Sequence, residues 1–192
     1  MIDRIMKMIN VILNRRALKG NRVLIGRSLS INGRIYIIGN NIIIGDSVRI
    51  NSSYKFNPIG GDVRTMLITH NDGRITIGNN VGISNSTIVA KQSVTIEDHV
   101  LIGGSCKIYD TDFHSLEYDY RMQKPDMHIK SAPVLIKNGA FIGAHSIILK
   151  GITIGEKSIV GAGSVVTKDI PDGEIWAGNP AKFIRKVEDG TQ

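Results

Sequence analysis

The sequence predicts an all-β solenoid, a triangular parallel β-helix, and three observations predict it. Branched apolar residues recur at a spacing of six, Ile and Val outweigh the aromatic residues, which make up only 5% of the chain, and glycine often follows the branched position. A period of six fits neither an α-helix of about 3.6 residues per turn nor a single amphipathic strand. We therefore expect each unit to form one short strand and one corner, with three units in each coil.

The spacing is unbroken in the last third of the chain, where it selects the branched residues Ile136, Ile142, Ile148, Ile154, Val160 and Val166. Glycines follow three of these directly, at Gly143, Gly155 and Gly161, and small or branched residues lie four places on, at Ser146, Ile152, Ser158 and Ser164. Earlier runs with the same period are Ile25 and Ile31; Ile38, Ile44 and Ile50; Ile77, Ile83 and Val89; and Ile96, Ile102 and Ile108. We expect the branched side chains to point inward and stack into one core, with the glycines at tight corners.

Two stretches interrupt the repeat. Residues 51–74 are polar and contain Pro58, Gly60 and Gly61, whereas residues 111–133 are rich in titratable side chains. The latter are Asp112, His114, Glu117, Asp119, Arg121 and His128. A long loop within a compact domain is usually functional or disordered, and loops on rigid scaffolds often carry the chemistry. The second stretch is therefore the expected functional loop.

The first 20 residues are expected to form an amphipathic helix. One helical face collects the apolar residues Ile2, Ile5, Met6, Ile9, Ile12 and Leu13. Charges interrupt every apolar run, so the segment lacks both a signal-peptide core and a span of about 20 apolar residues. Two interpretations remain: a helix packed on the body of the protein, or one lying on an anionic membrane surface. The expected organisation is this helix, a β-helix domain over residues 21–187 with the loop 111–133, and a tail over residues 188–192.

The charge balance and the cysteine content limit the partners. The net charge of +7 favours anionic partners. Nucleic acid is not expected, because the chain has no zinc-finger spacing, no aromatic RNA-binding signature and no concentrated basic helix beyond the N-terminus. Cys106 is the only cysteine, so no intrachain disulfide can form, and we expect a reducing, cytoplasmic location, either free or at the membrane periphery. Within its apolar repeat, Cys106 is expected to be a small buried residue rather than a nucleophile.

Three motifs resemble the hexapeptide-repeat acyltransferases, a superfamily that includes galactoside, maltose, xenobiotic, serine and polysaccharide O-acetyltransferases. They are Gly-Ala-Gly-Ser-Val-Val-Thr-Lys-Asp-Ile-Pro at 161–171, Ala-Gly-Asn-Pro-Ala at 177–181 and Asp-Thr-Asp-Phe-His at 110–114. The resemblance covers residues 75–187 well and the first 70 residues loosely. It implies a left-handed β-helix, acetyl-CoA as co-substrate, and a homotrimer with active sites between adjacent subunits. The left hand comes from the resemblance alone, since parallel crossovers elsewhere are nearly always right-handed.

The resemblance makes His114 the catalytic base. An alcohol is a weak nucleophile that must lose its proton as it attacks a thioester, and imidazole, which titrates near about pH 6.5, suits that transfer. Asp112 and Asp110 are the nearest carboxylates in sequence, either orienting the imidazole and binding acceptor hydroxyls or merely forming turns. Glu117 is a weaker acceptor contact. Asn85 lies close to an acceptor-binding Asn of the sugar acetyltransferases, with an ordinary corner residue as the alternative.

The resemblance also assigns contacts to coenzyme A. Ala144 and Ala162 would contact the pantetheine through backbone groups. The residues expected at the nucleotide end are Thr167, Lys168, Lys182 and Arg185. The phosphates of the cofactor need cations, although Lys168 also fits a solvated surface residue. The short two-histidine spacing of the related zinc carbonic anhydrases is absent around His114, so no metal is expected.

The expected function is acetyl-CoA-dependent O-acetylation of a sugar hydroxyl, in polysaccharide or glycan synthesis, by direct transfer with His114 as general base. N-acetylation of an amino-sugar nucleotide is an alternative, because an amine also profits from a general base. Serine is less favoured as acceptor, since the long helical N-terminal domain of that branch is absent from the sequence. The non-enzymatic alternative is a β-helix scaffold, which would need neither His114 nor Lys168.

Overall fold

The computed structural model describes residues 2–61 and 63–188, with side chains from residue 4 onward. Helix α1 (Ile2–Gly20) precedes the strands, a 3-10 turn covers Pro58–Gly60, and the short helix α2 covers Tyr118–Arg121. Met1 and residues 189–192, which form most of the expected tail, lie outside the described residues. The remaining elements are strands that wind into six coils.

Three sheets form the sides of the solenoid. Sheet A contains β1 (Leu24–Ile25), β4 (Ile42–Ile44), β7 (Arg74–Ile77), β10 (Ser93–Ile96), β13 (Val134–Ile136) and β16 (Thr153–Ile154). Sheet B contains β2 (Ser30–Gly33), β5 (Arg49–Ser52), β8 (Gly82–Ser84), β11 (Leu101–Ile102), β14 (Phe141–Ile142), β17 (Ile159–Val160), β19 (Glu174–Gly178) and β20 (Ala181–Lys186). Sheet C contains β3 (Tyr36–Ile38), β6 (Met66–Thr69), β9 (Thr87–Ala90), β12 (Lys107–Tyr109), β15 (Ile147–Ile148) and β18 (Val165–Val166).

Successive strands of the chain enter sheets A, B and C in turn, and neighbours within each sheet are parallel except at the final β19–β20 pair. The predicted parallel β-helix is therefore confirmed. In sheet A, the register aligns one inward column, consisting of Ile44, Ile77, Ile96, Ile136 and Ile154. Each of these side chains is at most 1% exposed. Burying one such side chain is worth about 1.5–3 kcal/mol, so the columns are the main source of stability.

Two residues of the first coil depart from the expected inward pattern. Ile38 is 42% exposed, and Ile37 takes the inward position, where it pairs in register with Leu67. Adjacent residues of a strand face opposite sides, so only one of the two can enter the core, and the column containing Leu67 selects Ile37. Ile25 aligns with Ile44 but is 52% exposed, because the first coil has a neighbour on one side only.

Helix α1 packs on the first coil through its C-terminal half. The Asn14 amide donates to the carbonyl of Gly33 at 2.9 Å and accepts from the amide of Ile35 at 3.1 Å. Ala17 and Leu18 contact the core beside it. The side chain of Asn14 thus satisfies backbone groups of the first coil, which have no further strand on that side.

The corner between sheets A and B is held by carboxylates that accept from backbone amides of neighbouring coils. Asp46 accepts from the amide of Arg27, and Asp98 accepts from the amide of Asn79, each at 2.7 Å. Asp172 serves another coil in the same way. Because these hydrogen bonds favour the ionised form, the pKa of each of the three carboxyls lies below its usual value.

Candidate active site

The functional loop, residues 110–133, leaves sheet C after β12 and returns to sheet A at β13. Its base is fixed by a bridge between Thr111 and Ser131. Beside this bridge the fully buried carboxylate of Asp110 accepts from the amides of Lys91 and Gln92, both at 2.7 Å. A rigid base of this kind holds the exposed part of the loop in place.

His114 projects from this loop, with 73% of its side chain exposed. Its Nδ1 lies 2.9 Å from Oδ2 of Asp126, which is 16% exposed and also accepts from the amide of Ser115. In the tautomer whose Nδ1 carries the proton, the ring donates to this carboxylate and Nε2 is the free base. The carboxylate also stabilises the imidazolium that forms when Nε2 accepts a proton.

The backbone before His114 is unusual. Phe113 has φ of 63°, in the left-handed region that non-glycine residues seldom adopt, and its ring packs edge-on against Tyr109 with centroids 5.3 Å apart. The amide of His114 donates to the carbonyl of Asp112 at 2.7 Å. A tight turn anchored by an aromatic contact therefore presents the imidazole to solvent. Such conformations persist where the surrounding structure enforces them.

The hydrogen-bond partner of the imidazole is Asp126 and not Asp112. Instead, Oδ1 of Asp112 pairs with Nζ of Lys150 at 2.7 Å, while its buried Oδ2 has no partner among the described residues. Burial raises the pKa of Tyr109, and the nearby charge of Asp112 raises it further. The expectation that Asp112 orients the ring is corrected accordingly, because Lys150 from the next coil draws its carboxylate away.

The other carboxylates expected at the acceptor behave differently from one another. Asp110 is fully buried and closes a turn, so its placement favours the turn-forming alternative over an acceptor contact. Glu117 is exposed at the start of α2, where its side chain makes no cap hydrogen bond. Glu117 is thus free to contact a ligand, and its acceptor role stays a prediction.

Asn85 occupies the corner between sheets B and C, beneath an insertion formed by residues 53–65. It is fully buried, has φ of 44°, and its amide donates to the carbonyls of Gly61 and Val63 at 3.4 and 3.0 Å. Asparagine tolerates this left-handed conformation better than most residues. The geometry supports the corner-residue alternative, and the buried Oδ1 has no partner among the described residues. Acceptor binding by Asn85 would require the insertion to move.

The same corner, two coils further on, exposes unused backbone donors. Adjacent coils approach closely here, since a Cβ on Gly143 would lie 2.5 Å from the amide nitrogen of Ala162. Within the described part of the chain, the N–H groups of Ala144 and Ala162 donate to no acceptor, whereas the carbonyl of Ala144 accepts from Gly163. Two unused donors in line, one coil apart, suit an extended ligand that carries amide carbonyls, as pantetheine does.

The expected nucleotide-end residues lie near the C-terminal end of the solenoid. Thr167 and Lys168 follow β18, and Lys182 and Arg185 belong to β20; all four are exposed. Arg185 lies 3.6 Å from Glu188, and no carboxylate of the described residues pairs with Lys168 or Lys182. Two free cations remain available at this end for phosphate groups.

A groove of about 280 Å³ crosses the outer face of sheet B. Leu101 and Phe141 form part of its walls. Gly82 lies at its floor and leaves space there because it carries no side chain. A row of polar side chains lies along the other side of the groove. In this row the amide of Asn32 donates to Oδ1 of Asn51, and the amide of Asn51 donates to the hydroxyl of Ser84. An aromatic ring beside a row of amides and hydroxyls is a surface that matches the apolar face and hydroxyl edge of a sugar.

Asp126 is the residue that sequence reasoning missed. It lies 12 residues after His114, in a loop without periodicity, so spacing gave no sign that the two side chains meet. A carboxylate inside the same functional loop was the only available signal. Asp112 and Asp110 were preferred because they are closer in sequence.

Comparisons with known proteins agree with the repeat. A family model described as the hexapeptide repeat of succinyl-transferase matches residues 133–168. The galactoside O-acetyltransferase of Escherichia coli is 42% identical over 105 residues, which are 55% of this chain and 50% of that protein. The galactoside O-acetyltransferase of Lactococcus lactis is 37% identical over 105 residues, covering 55% of this chain and 49% of that protein. The chain therefore spans about half the length of the curated relatives it matches.

Two solved structures resemble nearly the whole chain. A variant of AntD, an N-acyltransferase from Bacillus cereus in complex with dTDP-4-amino-4,6-dideoxyglucose and coenzyme A, has a TM-score of 0.71 at 25% identity, covering 91% of this chain and 89% of that one. A hexapeptide-repeat acetyltransferase from Vibrio cholerae in complex with acetyl coenzyme A has a TM-score of 0.61 at 26% identity, covering 95% and 89%.

The fold is thus the left-handed parallel β-helix of hexapeptide-repeat proteins. The resemblance to the hexapeptide-repeat acyltransferases is confirmed by the matched repeat, by the sequence relatives and by the structural neighbours. Residues 2–61 and 63–188 contain no helix long and apolar enough to cross a membrane. They also contain no group of three His, Cys, Asp or Glu side chains that could hold a metal ion.

Proposed function

We propose that the protein is an acetyl-CoA-dependent acetyltransferase that uses His114 as general base and Asp126 as the residue that positions it. The observation that carries the proposal is the 2.9 Å contact between Nδ1 of His114 and Oδ2 of Asp126 on an otherwise exposed imidazole. This pair leaves Nε2 open to solvent as a proton acceptor. A scaffold would have no need for a histidine presented and oriented in this way.

Acetyl-CoA, when bound, supplies a thioester whose carbonyl carbon accepts a nucleophile and whose thiolate then leaves. Nε2 of His114 accepts the proton of the acceptor group as that group attacks, and the resulting imidazolium returns the proton to the thiolate. Asp126 holds the imidazolium through its Nδ1–H. Because the transfer is direct, no acyl-enzyme forms and Cys106, which is fully buried, takes no part.

The corner between sheets B and C supports coenzyme A as the bound group. The unused N–H groups of Ala144 and Ala162 would donate to pantetheine carbonyls, while Lys168 and Lys182 would face the phosphates. The functional loop emerges from a different corner, between sheets C and A. This separation favours a homotrimer in which His114 of one subunit reaches the coenzyme corner of the next.

The first candidate acceptor is a sugar hydroxyl, in polysaccharide or glycan synthesis. The similarity to galactoside O-acetyltransferases supports it, as does the groove beside Phe141, whose ring suits a sugar face. The second candidate is the amine of an amino-sugar nucleotide. It is supported by the N-acyltransferase of Bacillus cereus, which resembles this chain over most of its length.

The test is a thiol-release assay with acetyl-CoA against simple sugars, oligosaccharides, amino-sugar nucleotides and serine. We expect turnover with one sugar class in the wild type and none above background in His114→Ala. Binding of acetyl-CoA, measured by calorimetry on both proteins, should be equal. Failure of the wild type to bind acetyl-CoA would overturn the acetyltransferase proposal and favour the scaffold.

A further inference from the structure

All of the net charge of the protein lies at one end. Residues 1–34 hold eight of the 24 Lys and Arg residues and only one of the 17 Asp and Glu residues, which leaves sixteen of each sign for the rest of the chain. The net charge of residues 1–34 is therefore +7, equal to that of the whole protein. Helix α1 and the start of the first coil form a cationic end, joined to an electrically balanced solenoid.

The same end exposes apolar side chains. On α1, Ile5 is 46% exposed, Ile9 39% and Ile12 46%. These residues are spaced by four and by three, so they share one helical face, and this face differs from the one that Asn14 and Leu18 turn toward the solenoid. The first coil adds further exposed apolar side chains at the same end, namely Leu24, Ile25, Tyr36 and Ile38.

The cations of α1 are exposed to solvent. They are Arg4, Lys7, Arg15, Arg16 and Lys19. None of them forms an ion pair with a carboxylate among the side chains that the structure describes. At about 3.6 residues per turn, Arg4, Arg15 and Lys19 lie along one edge of the face formed by Ile5, Ile9 and Ile12, whereas Lys7 lies on the opposite side of the helix. An apolar face bordered by cations is the arrangement of helices that lie in the plane of a membrane interface.

We propose that α1 and the first coil form a docking surface for an anionic lipid bilayer, with the helix lying in the headgroup region. The apolar residues would enter the boundary between headgroups and acyl chains, while the long cationic side chains reach the lipid phosphates. This role differs from a membrane span, which α1 is too polar to form. It is independent of the acetyl transfer proposed above.

Charge favours a lipid surface over a second copy of this chain at the same face. A symmetric contact would bring two ends of net charge +7 together, and like charges in contact are repulsive. A nucleic acid would match the cations but would leave Ile5, Ile9 and Ile12 without a partner. An anionic bilayer uses both features of the surface.

The experiment is flotation of the full chain with vesicles of phosphatidylcholine alone, or mixed equally with phosphatidylglycerol. We expect binding to the mixed vesicles only, weakening as salt is raised. Each cation near an anionic surface contributes about a fivefold factor in affinity, so Arg4→Gln/Arg15→Gln should bind about 25-fold more weakly. Ile5→Ser/Ile9→Ser/Ile12→Ser should lose at least about tenfold.

The matched control is Arg74→Gln/Lys157→Gln, which removes the same charge from exposed positions outside the cationic end and should bind as the wild type does. Equal circular dichroism spectra and melting temperatures establish that every variant is folded. The proposal is overturned if wild type does not float with anionic vesicles, or if both charge variants weaken binding equally. It is also overturned if the triple-Ser variant floats normally but changes mass by light scattering, which would make this face an interface between copies.

Discussion

The solenoid is interrupted twice, by the insertion 53–65 between sheets B and C and by the functional loop 110–133 between sheets C and A. The insertion is tied to the coils by backbone contacts: Gly104 packs against Gly60, and the hydroxyl of Ser105 donates to the carbonyl of Gly60 at 2.8 Å. The buried amide of Asn85 holds its other end. Among the residues that the structure describes, the functional loop is tied to the coils near its base, and beyond the base His114 is open to solvent.

The insertion and the functional loop use their polar groups differently. At the insertion, the amide of Asn85 and the hydroxyl of Ser105 donate from the corners of the coils to backbone carbonyls of the segment, so the segment seals the solenoid. In the functional loop, the carboxylate of Asp126 is hydrogen-bonded to Nδ1 of His114, and Nε2 of the ring stays free. Two breaks in the same repeat thus serve stability in one case and chemistry in the other, and substitutions should separate the two effects.

The largest effect is expected in the functional loop. His114→Ala should lower kcat by about 10²–10⁴-fold, because the acceptor loses its general base. The melting temperature should stay unchanged, since the side chain is 73% exposed. Asp119→Asn, an exposed carboxyl on α2, is the matched control and should retain full activity. Activity that survives His114→Ala would place the base elsewhere and remove the basis for the comparison.

The next effect is expected at the insertion, as a loss of stability. A Cβ on Gly104 would lie 2.6 Å from the backbone nitrogen of Gly60, so Gly104→Ala must displace the insertion. We expect a loss of about 1–3 kcal/mol in the free energy of unfolding, measured by urea denaturation. Gly20→Ala, where a Cβ meets nothing within 4 Å, should not destabilise the protein. Equal stabilities of the two variants would argue against a sealing role.

A smaller change in activity is expected from the positioning residue. Asp126→Ala should lower kcat by roughly tenfold, less than His114→Ala does, because the base remains but its ring is no longer held. The loss should appear in kcat and not in the KM for acetyl-CoA, because Asp126 acts on the base. Asp126→Glu should restore part of the activity. An equal loss in Asp126→Ala and Asp126→Glu, together with a lowered melting temperature, would limit Asp126 to a structural role.

The smallest effect is expected at the corner between sheets A and B, which carries no insertion. The folded-state pKa of Asp98 is lowered, so its contribution to stability is present above the usual carboxyl pKa and is lost as pH falls through the folded value. Asp98→Asn should therefore melt slightly below wild type at pH 7. The difference between the two melting temperatures should disappear below about pH 4. A difference in melting temperature that persists in acid would mean that ionisation of Asp98 contributes nothing to stability.

The core was predictable because the repeat leaves few alternatives. Spacing alone predicts the inward positions from Ile77 to Val166, and the structure places all of them inward except Val89, which lies in register with Tyr109 while Ile88 takes the inward place between Leu67 and Ile108. The prediction was wrong at Ile38 and at Val89, where the adjacent Ile37 and Ile88 were equally apolar choices. Spacing fixes which face a residue takes only when its neighbour is polar, and two consecutive Ile residues leave the choice to the facing strand.

Candidate site residues could be predicted where a sequence motif identifies them. They could not be predicted where only a contact in the folded protein brings two side chains together. The resemblance to the hexapeptide-repeat acyltransferases assigns His114, through Asp-Thr-Asp-Phe-His, and also Ala144 and Ala162, and these roles stay predictions. Loops have no period, so the pairing of Asp126 with His114, and of Asp112 with Lys150, could not be read from spacing. Both pairs join residues separated by 12 or more positions.

The sequence by itself determined the solenoid, its six-residue unit and the two places where the unit breaks, because a repeat encodes the same local choice many times. Tertiary structure alone decided which carboxylate holds His114, why Asn85 is buried, and which apolar side chains of the cationic end stay exposed. These outcomes depend on contacts between coils and within loops. Their energies come from distance and burial in three dimensions, which no local pattern of residues contains.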